Sequence, residues 1–414
     1  MRRLVVLGAG TAGTIVVNKL RRRLGADWRI TVVEQSDLHY YQPGYLFLPF
    51  GTYSPGQVTK PTRSFIPDGV DLVRGEVDRV VPDENAVLLT GGRRLGYDYL
   101  VVATGTTPRP DQTPGMLDGG EWRRSVHEFY SYEGAMALRE ALKEFDGGRL
   151  VVHVTEMPIK CPVAPLEFAF LADDHFRQRG MRDRVELAYV TPLPGAFTKP
   201  VASQALGSML DERKIHLESD FVIESVDTEN KAIVSYDERE VPFDLLVTVP
   251  LNMGADYVAR SGMGDELNYV PVDKHTLLST TYDNVFALGD ASDIPTSKAG
   301  SVAHFSVEVF VENFLEHVAG RPMTHAFDGH ANCYVESGRG KALLIDFNYD
   351  VEPLPGAYPV PKAGPFRLLA ETRVNHLGKL AFRHMYWNLL LPGRPIPLPA
   401  HMSMAGKHPQ SQEA

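Results

Sequence analysis

Residues 3–13 read RLVVLGAGTAG, and a glycine-spaced turn between an apolar strand and a helix restricts the chain to few folds. The apolar run 3–7 predicts a strand. Gly8, Gly10 and Gly13 follow in the G-x-G-x-x-G pattern. Ile15, Val16, Val17 and Leu20 then give residues 14–24 a helical apolar face. Gly8 permits the tight turn, Gly10 offers bare backbone to a pyrophosphate, and Gly13 lets helix and strand pack closely. Thr11 and Ala12 stand at the helix start, where free N–H groups and the helix dipole favour an anion. A second predicted strand, 28–33, runs into Glu34 and Gln35. A carboxylate there accepts hydrogen bonds from ribose hydroxyls and repels a 2′-phosphate, which argues against NADP.

Two later segments extend this dinucleotide site. Residues 100–105, LVVATG, predict a strand that ends at Thr104-Gly105. Residues 281–290, TYDNVFALGD, predict another that ends at Gly289-Asp290, where a carboxylate can hold a ribitol hydroxyl. In this order they resemble the flavoprotein oxidoreductases with two dinucleotide-binding domains, which implies FAD. The expected fold is α/β. An FAD domain combines residues 1–110 with 248–322, a second Rossmann-like domain spans 111–247, and a C-terminal membrane or interface region spans 323–414. Where a second fingerprint would stand, residues 149–162 read RLVVHVTEMPIKCP. The glycines are missing, and His153, Glu156 and Ile159 place side chains where a pyrophosphate needs bare backbone. NADH is therefore not the expected donor, and Cys161 suggests thiol chemistry in its place.

A chain of 414 residues has ample core for two or three domains. Its formal charge of −10 argues against nucleic acid as a partner. No stretch approaches the roughly 18 consecutive apolar residues of a transmembrane helix. Met1 leads almost directly into the first strand, which predicts no signal peptide and a cytoplasmic protein. Two cysteines are too few for a disulfide framework, and no metal site is expected. The charge is uneven. From Pro361 onward Lys362, Arg367, Arg373, Lys379, Arg383, Arg394 and Lys407 face only Glu371 and Glu413. Within that basic tail, residues 380–391, LAFRHMYWNLLL, suit a membrane interface. A helix docked on its own body, or a contact between copies in a homo-oligomer, has the same composition.

Cys161 lies between prolines in MPIKCPVAPLEF, just ahead of a predicted helix over 166–175. A helix N-terminus and the neighbouring Lys160 both favour a thiolate, and Glu167 on that helix is a candidate proton carrier. Cys333 stands in ANCYVESG, at the start of a predicted strand. These segments are similar to the two cysteine segments of the sulfide:quinone oxidoreductases. The resemblance runs nearly end to end, through YYQPGYLF, ATG and GDASDIPTSKAGSVAHF. It implies FAD, with Cys161 and Cys333 handling sulfur on one face, Glu167 as acid/base, and Lys298 and Gly300 near the flavin ring. It also implies a quinone approaching from the inner face of the cell membrane. Phe366, Phe382, Tyr386 and Trp387 are the C-terminal aromatic candidates for that quinone. Many members carry a third cysteine; here Ser125–Tyr130 stands in its place, with His127 as a candidate base. That departure keeps open a flavocytochrome-like sulfide dehydrogenase with a cytochrome acceptor. A type II NADH:quinone dehydrogenase and a non-catalytic FAD-bound assembly protein would use the same FAD scaffold.

Overall fold

The computed structural model describes residues 1–360, 364–396 and 398–408; Lys362 and Glu413 of the basic tail lie outside them. Strand Arg2–Leu7 sits at the centre of a five-stranded parallel sheet, in the spatial order Val285–Ala287, Tyr99–Val102, Arg2–Leu7, Trp28–Glu34, Val70–Arg74. Both faces of its central strand are covered, so Leu4, Val5, Val6 and Leu7 alternate sides and are all buried. Helices Thr11–Arg23 and Gly300–Val318 pack on each other. Ion pairs Lys19–Glu308 and Arg23–Glu312 fasten them along their outer edge. The first helix begins at Thr11, earlier than the apolar periodicity indicates, because Gly10 adopts an extended cap conformation immediately before it.

A second parallel sheet repeats the plan, in the order Val126–His127, Leu245–Val249, Gly148–Val154, Val185–Val190, Ile215–Glu218. Helix Ala164–Gln178 follows its central strand and carries Glu167. The C-terminal part contributes a four-stranded sheet built on the hairpin Ala331–Gly338/Lys341–Phe347, with Cys333 opposite Ile345. Helix Ala164–Gln178 packs against the Cys333 strand, and helix Arg373–Met385 packs across the same hairpin. These two packings bring three distant parts of the chain together.

The expectation that residues 380–391 present aromatic groups to a membrane needs correction. Tyr386 and Trp387 are only 2% and 5% exposed, and Leu390 and Leu391 are buried with them. Trp387 stacks on Phe65 with ring centres 5.3 Å apart, and its indole N–H donates to the Gln57 carbonyl at 3.3 Å. Its polar edge and its ring both have protein partners, so nothing is gained by turning it outward. The exposed apolar residues of this region lie earlier, at Val374 and Leu377. Among the described residues, no helix is long and apolar enough to cross a membrane.

Candidate functional site

A cavity of about 490 Å³ opens along the C-terminal edge of the first sheet. Its wall runs from the Gly8–Ala12 loop past Glu34, Gln35, Thr104 and Gly105 to Gly289, Asp290, Lys298 and Gly300. Gly8 has φ +93°, and a Cβ there would lie 2.6 Å from the Ala103 carbonyl oxygen, so only glycine fits. A Cβ on Gly10 would meet no protein atom within 4 Å, so that backbone faces open cavity. Gly13 lies beneath, in the first buried turn of the helix. The Glu34 carboxylate accepts the Ala9 and Ser36 N–H groups at 2.7 and 2.8 Å. Both its oxygens are thus oriented at the cavity wall. Bare backbone at a helix start and a fixed carboxylate at the end of the second strand fit a dinucleotide cofactor.

The far end of the cavity is different in kind. Cys161 lines it, held in the left-handed region at φ +45°. Its N–H donates to the Lys298 carbonyl at 2.7 Å, and its own carbonyl accepts from Ala164 N–H and Tyr130 Oη. Cys161 is therefore fastened on one side to the Lys298–Gly300 loop and on the other to the start of its helix. Lys298 is itself pinned: its ammonium donates to the Asp290 and Ser292 carbonyls at 3.2 and 2.9 Å and lies 3.7 Å over the Tyr269 ring.

The expected role of Lys160 is not what the structure holds. Its ammonium donates to the Gln42 side chain at 3.2 Å and points toward the Tyr130 carbonyl. The cation beside the thiols is Lys379, from helix Arg373–Met385. It forms an ion pair with Glu167, which also accepts the Glu336 N–H at 2.6 Å. Burial pushes the Cys161 thiol far up, the charges of Glu167 and Cys333 add to it, and Lys379 opposes them. Burial and Glu167 likewise push Cys333 up to about 12, again against Lys379. Burial raises Glu167 as well. Burial alone would lower Lys379, but Glu167 and Glu336 more than offset it and keep it charged. Cys161, Cys333, Glu167 and Lys379 thus form one interacting group, with Lys379 as its counter-charge. Both cysteines are free thiols.

The aromatic candidates divide. Phe382 and Tyr386 line the cavity together with Lys379. Phe366 does not; it packs edge-on against Tyr334. Trp387 is turned away onto Phe65. The Tyr386 hydroxyl bonds Thr11 at 2.8 Å and His39 Nε2 at 2.7 Å, and His39 Nδ1 donates to the Ala9 carbonyl. Because the carbonyl can only accept, Nε2 is unprotonated and the tyrosine donates to it, leaving the Thr11 hydroxyl to donate to the tyrosine. Burial holds His39 down at about 4, in keeping with a neutral ring. His127 does not join the site. It sits in the second sheet with Nε2 donating to the Arg124 carbonyl, while Phe129 and Tyr130 reach the cavity.

Residues 2–307 match the pyridine nucleotide-disulphide oxidoreductase family. A mitochondrial sulfide:quinone oxidoreductase of Dictyostelium discoideum is 30% identical over 398 residues, covering 95% of this chain and 86% of its own. The chain belongs to the sulfide:quinone oxidoreductase family. The mitochondrial member from Mus musculus is 26% identical, over 94% of this chain and 86% of its own. The X-ray structure of the sulfide:quinone oxidoreductase from the hyperthermophilic bacterium Aquifex aeolicus superposes with a TM-score of 0.80 at 20% identity, covering 95% of this chain and 92% of that one. The expected family is borne out, and the chain is a flavoprotein oxidoreductase.

Within this family fold, the second sheet's central strand leads into a turn without glycines. His153 is buried with Nδ1 2.9 Å from the Thr248 hydroxyl, Ile159 is in the core, and Glu156 is exposed. Lys379 is the cavity residue beside the thiols that the sequence alone does not mark. One signal was available: 379, 382 and 386 follow the i, i+3, i+7 spacing of one helix face, and all three line the cavity.

Proposed function

We propose that this chain oxidises sulfide at Cys161 and Cys333 and passes the electrons through FAD to quinone. The observation that carries the reading is that Cys161, Glu167 and Lys379 line one end of the dinucleotide cavity and that Cys333 interacts with all three. Starting from the oxidised pair, hydrosulfide attacks a Cys161–Cys333 disulfide or a sulfur-bridged form of it. The S–S bond breaks, one cysteine becomes a persulfide and the other leaves as a thiolate. Bound FAD supplies the two-electron acceptor that a thiol pair lacks. The chain's own part is electrostatic. Burial opposes thiolate formation, and Lys379 is the charge that compensates it. Glu167, next to both thiols, holds or takes the proton.

Quinone is assigned to the part of the cavity lined by Phe382 and Tyr386, which the C-terminal helix supplies. Phe366 and Trp387, committed to other packing, are left out of that site. A lipid-soluble acceptor calls for a surface in contact with lipid, and exposed Val374 and Leu377 beside Arg373 form such a face at the start of the helix. NADH is not the donor in this reading, since the turn after Gly148–Val154 lacks the bare glycine backbone of the first turn. The test is turnover of sulfide with a soluble quinone by the flavin-loaded protein. Sustained turnover that is lost in both Cys161→Ser and Cys333→Ser supports the reading. Full turnover in either variant, or reduction of cytochrome c without any need for quinone, contradicts it.

A further inference from the structure

The cavity end of this site has a buried acidic neighbour with no part in the scheme above. Glu336 lies on the Cys333 strand and is 1% exposed. Its carboxylate accepts from His376 Nδ1 at 2.9 and 3.0 Å. His376 is on helix Arg373–Met385, three residues before Lys379, so the two side chains share one helix face and flank Glu336. The His376 side chain is 22% exposed, and its Nε2 makes no hydrogen bond among the described residues. The groups facing Glu336 are His376 and Lys379 from this helix, Glu167 from the cysteine helix, and Tyr53 from the loop beside it.

Proton balance gives this arrangement a task. Oxidising HS⁻ to a persulfide-bound sulfur atom releases two electrons and one proton. Reducing quinone to quinol consumes two electrons and two protons. One proton per turnover must then come from solvent. When H₂S enters instead, it brings that proton with it.

We propose that His376 and Glu336 carry this proton from solvent to Lys379 and Glu167 at the cavity wall. The inference rests on the sulfide and quinone reading above. His376 takes a proton at its exposed edge and passes one to Glu336 through the existing hydrogen bond. No direct hydrogen bond joins Glu336 to Lys379; the ammonium, ion-paired with Glu167 and donating to the Tyr334 carbonyl at 3.2 Å, shifts toward Glu336 to close the step. Burial raises the Glu336 carboxyl against the pull of Lys379 and His376, which brings it nearer to a group that can be protonated in passing.

His376 and Glu336 are positioning residues in this scheme, so the test must read protons as well as rate. His376→Gln and Glu336→Gln are compared with the unaltered holoenzyme, after matching flavin content and Tm. Steady-state sulfide oxidation is followed from about pH 6 to about pH 9. Proton uptake during a single quinone-driven flavin reoxidation is followed with a pH-indicator dye. The expected result is little change near pH 6, a loss of roughly tenfold or more near pH 9, and dye uptake that lags behind flavin reoxidation. Added imidazole should restore the rate of His376→Ala. A pH profile that runs parallel to the parent's, with proton uptake in step with the flavin, overturns the relay alone. A parent enzyme that sulfide does not reduce overturns the underlying reading as well.

Discussion

The two parallel sheets of this chain are built alike and differ at one turn. After the central strand of the first sheet, Gly8 and Gly10 leave bare backbone in front of a helix start, and the cavity begins there. After the central strand of the second, Ile159 enters the core and Cys161 takes a left-handed conformation hydrogen-bonded to the first domain's Lys298. The two turns differ in their residues while the strand–turn–helix topology is kept. Bare glycine backbone stands at the first turn and a cysteine at the second; in the function proposed above the first takes the pyrophosphate and the second the sulfur.

The cysteine turn should show the largest effects. Replacing either cysteine by serine should lower the rate of sulfide-dependent flavin reduction by on the order of a thousandfold or more, read by anaerobic stopped-flow. Near-parental rates would separate the second turn from the chemistry. Lys379→Met should come next. It leaves Glu167 buried without its partner, which costs about 3–5 kcal/mol in urea unfolding at pH 8. The loss should shrink as pH falls and the lone Glu167, already raised by burial, takes up a proton, and it should be relieved in Lys379→Met/Glu167→Gln. A full loss in the double variant would show that Lys379 matters through packing alone.

Much of the difference between the turns was legible in the sequence, because each turn is local. The G-x-G-x-x-G spacing, Glu34 at its strand end and the proline-bracketed Cys161 each lie within one short segment. What was illegible depends on packing between distant segments. Lys160 is next to Cys161 in the chain, yet the positive φ at Cys161 turns the backbone and the Lys160 ammonium runs to Gln42. Lys379 reaches the thiols only because its helix crosses the Cys333 hairpin. Residues 380–391 have a composition that suits a membrane surface or a protein surface equally. Phe65 and the Gln57 carbonyl decide the matter for Trp387, and neither is near it in sequence.

Two smaller predictions sharpen the glycine side. Burial holds His39 at about 4 against an ordinary 6.5, so the unfolded chain takes up its proton first as pH falls. The associated stability is fully present above about pH 6.5 and is lost between there and about pH 4, to a total of about 3 kcal/mol. His153 and His304 act with the same sign. His39→Gln should therefore flatten, without abolishing, the acid branch of a stability–pH curve; an unchanged branch would contradict the hydrogen-bond assignment at Tyr386. Gly8→Ala should cost about 1–3 kcal/mol of backbone strain and lower the flavin bound per chain, measured by absorbance after gel filtration. Full flavin occupancy in that variant would mean that the turn tolerates a Cβ.

In the function proposed above, the second turn serves sulfur where a nicotinamide site would otherwise stand. Anaerobic titration of the same flavin-loaded protein with sulfide and, separately, with NADH tests it most directly. The flavin absorbance should bleach with stoichiometric sulfide and be unaffected by micromolar NADH. Rapid bleaching by NADH, with none by sulfide, would contradict it.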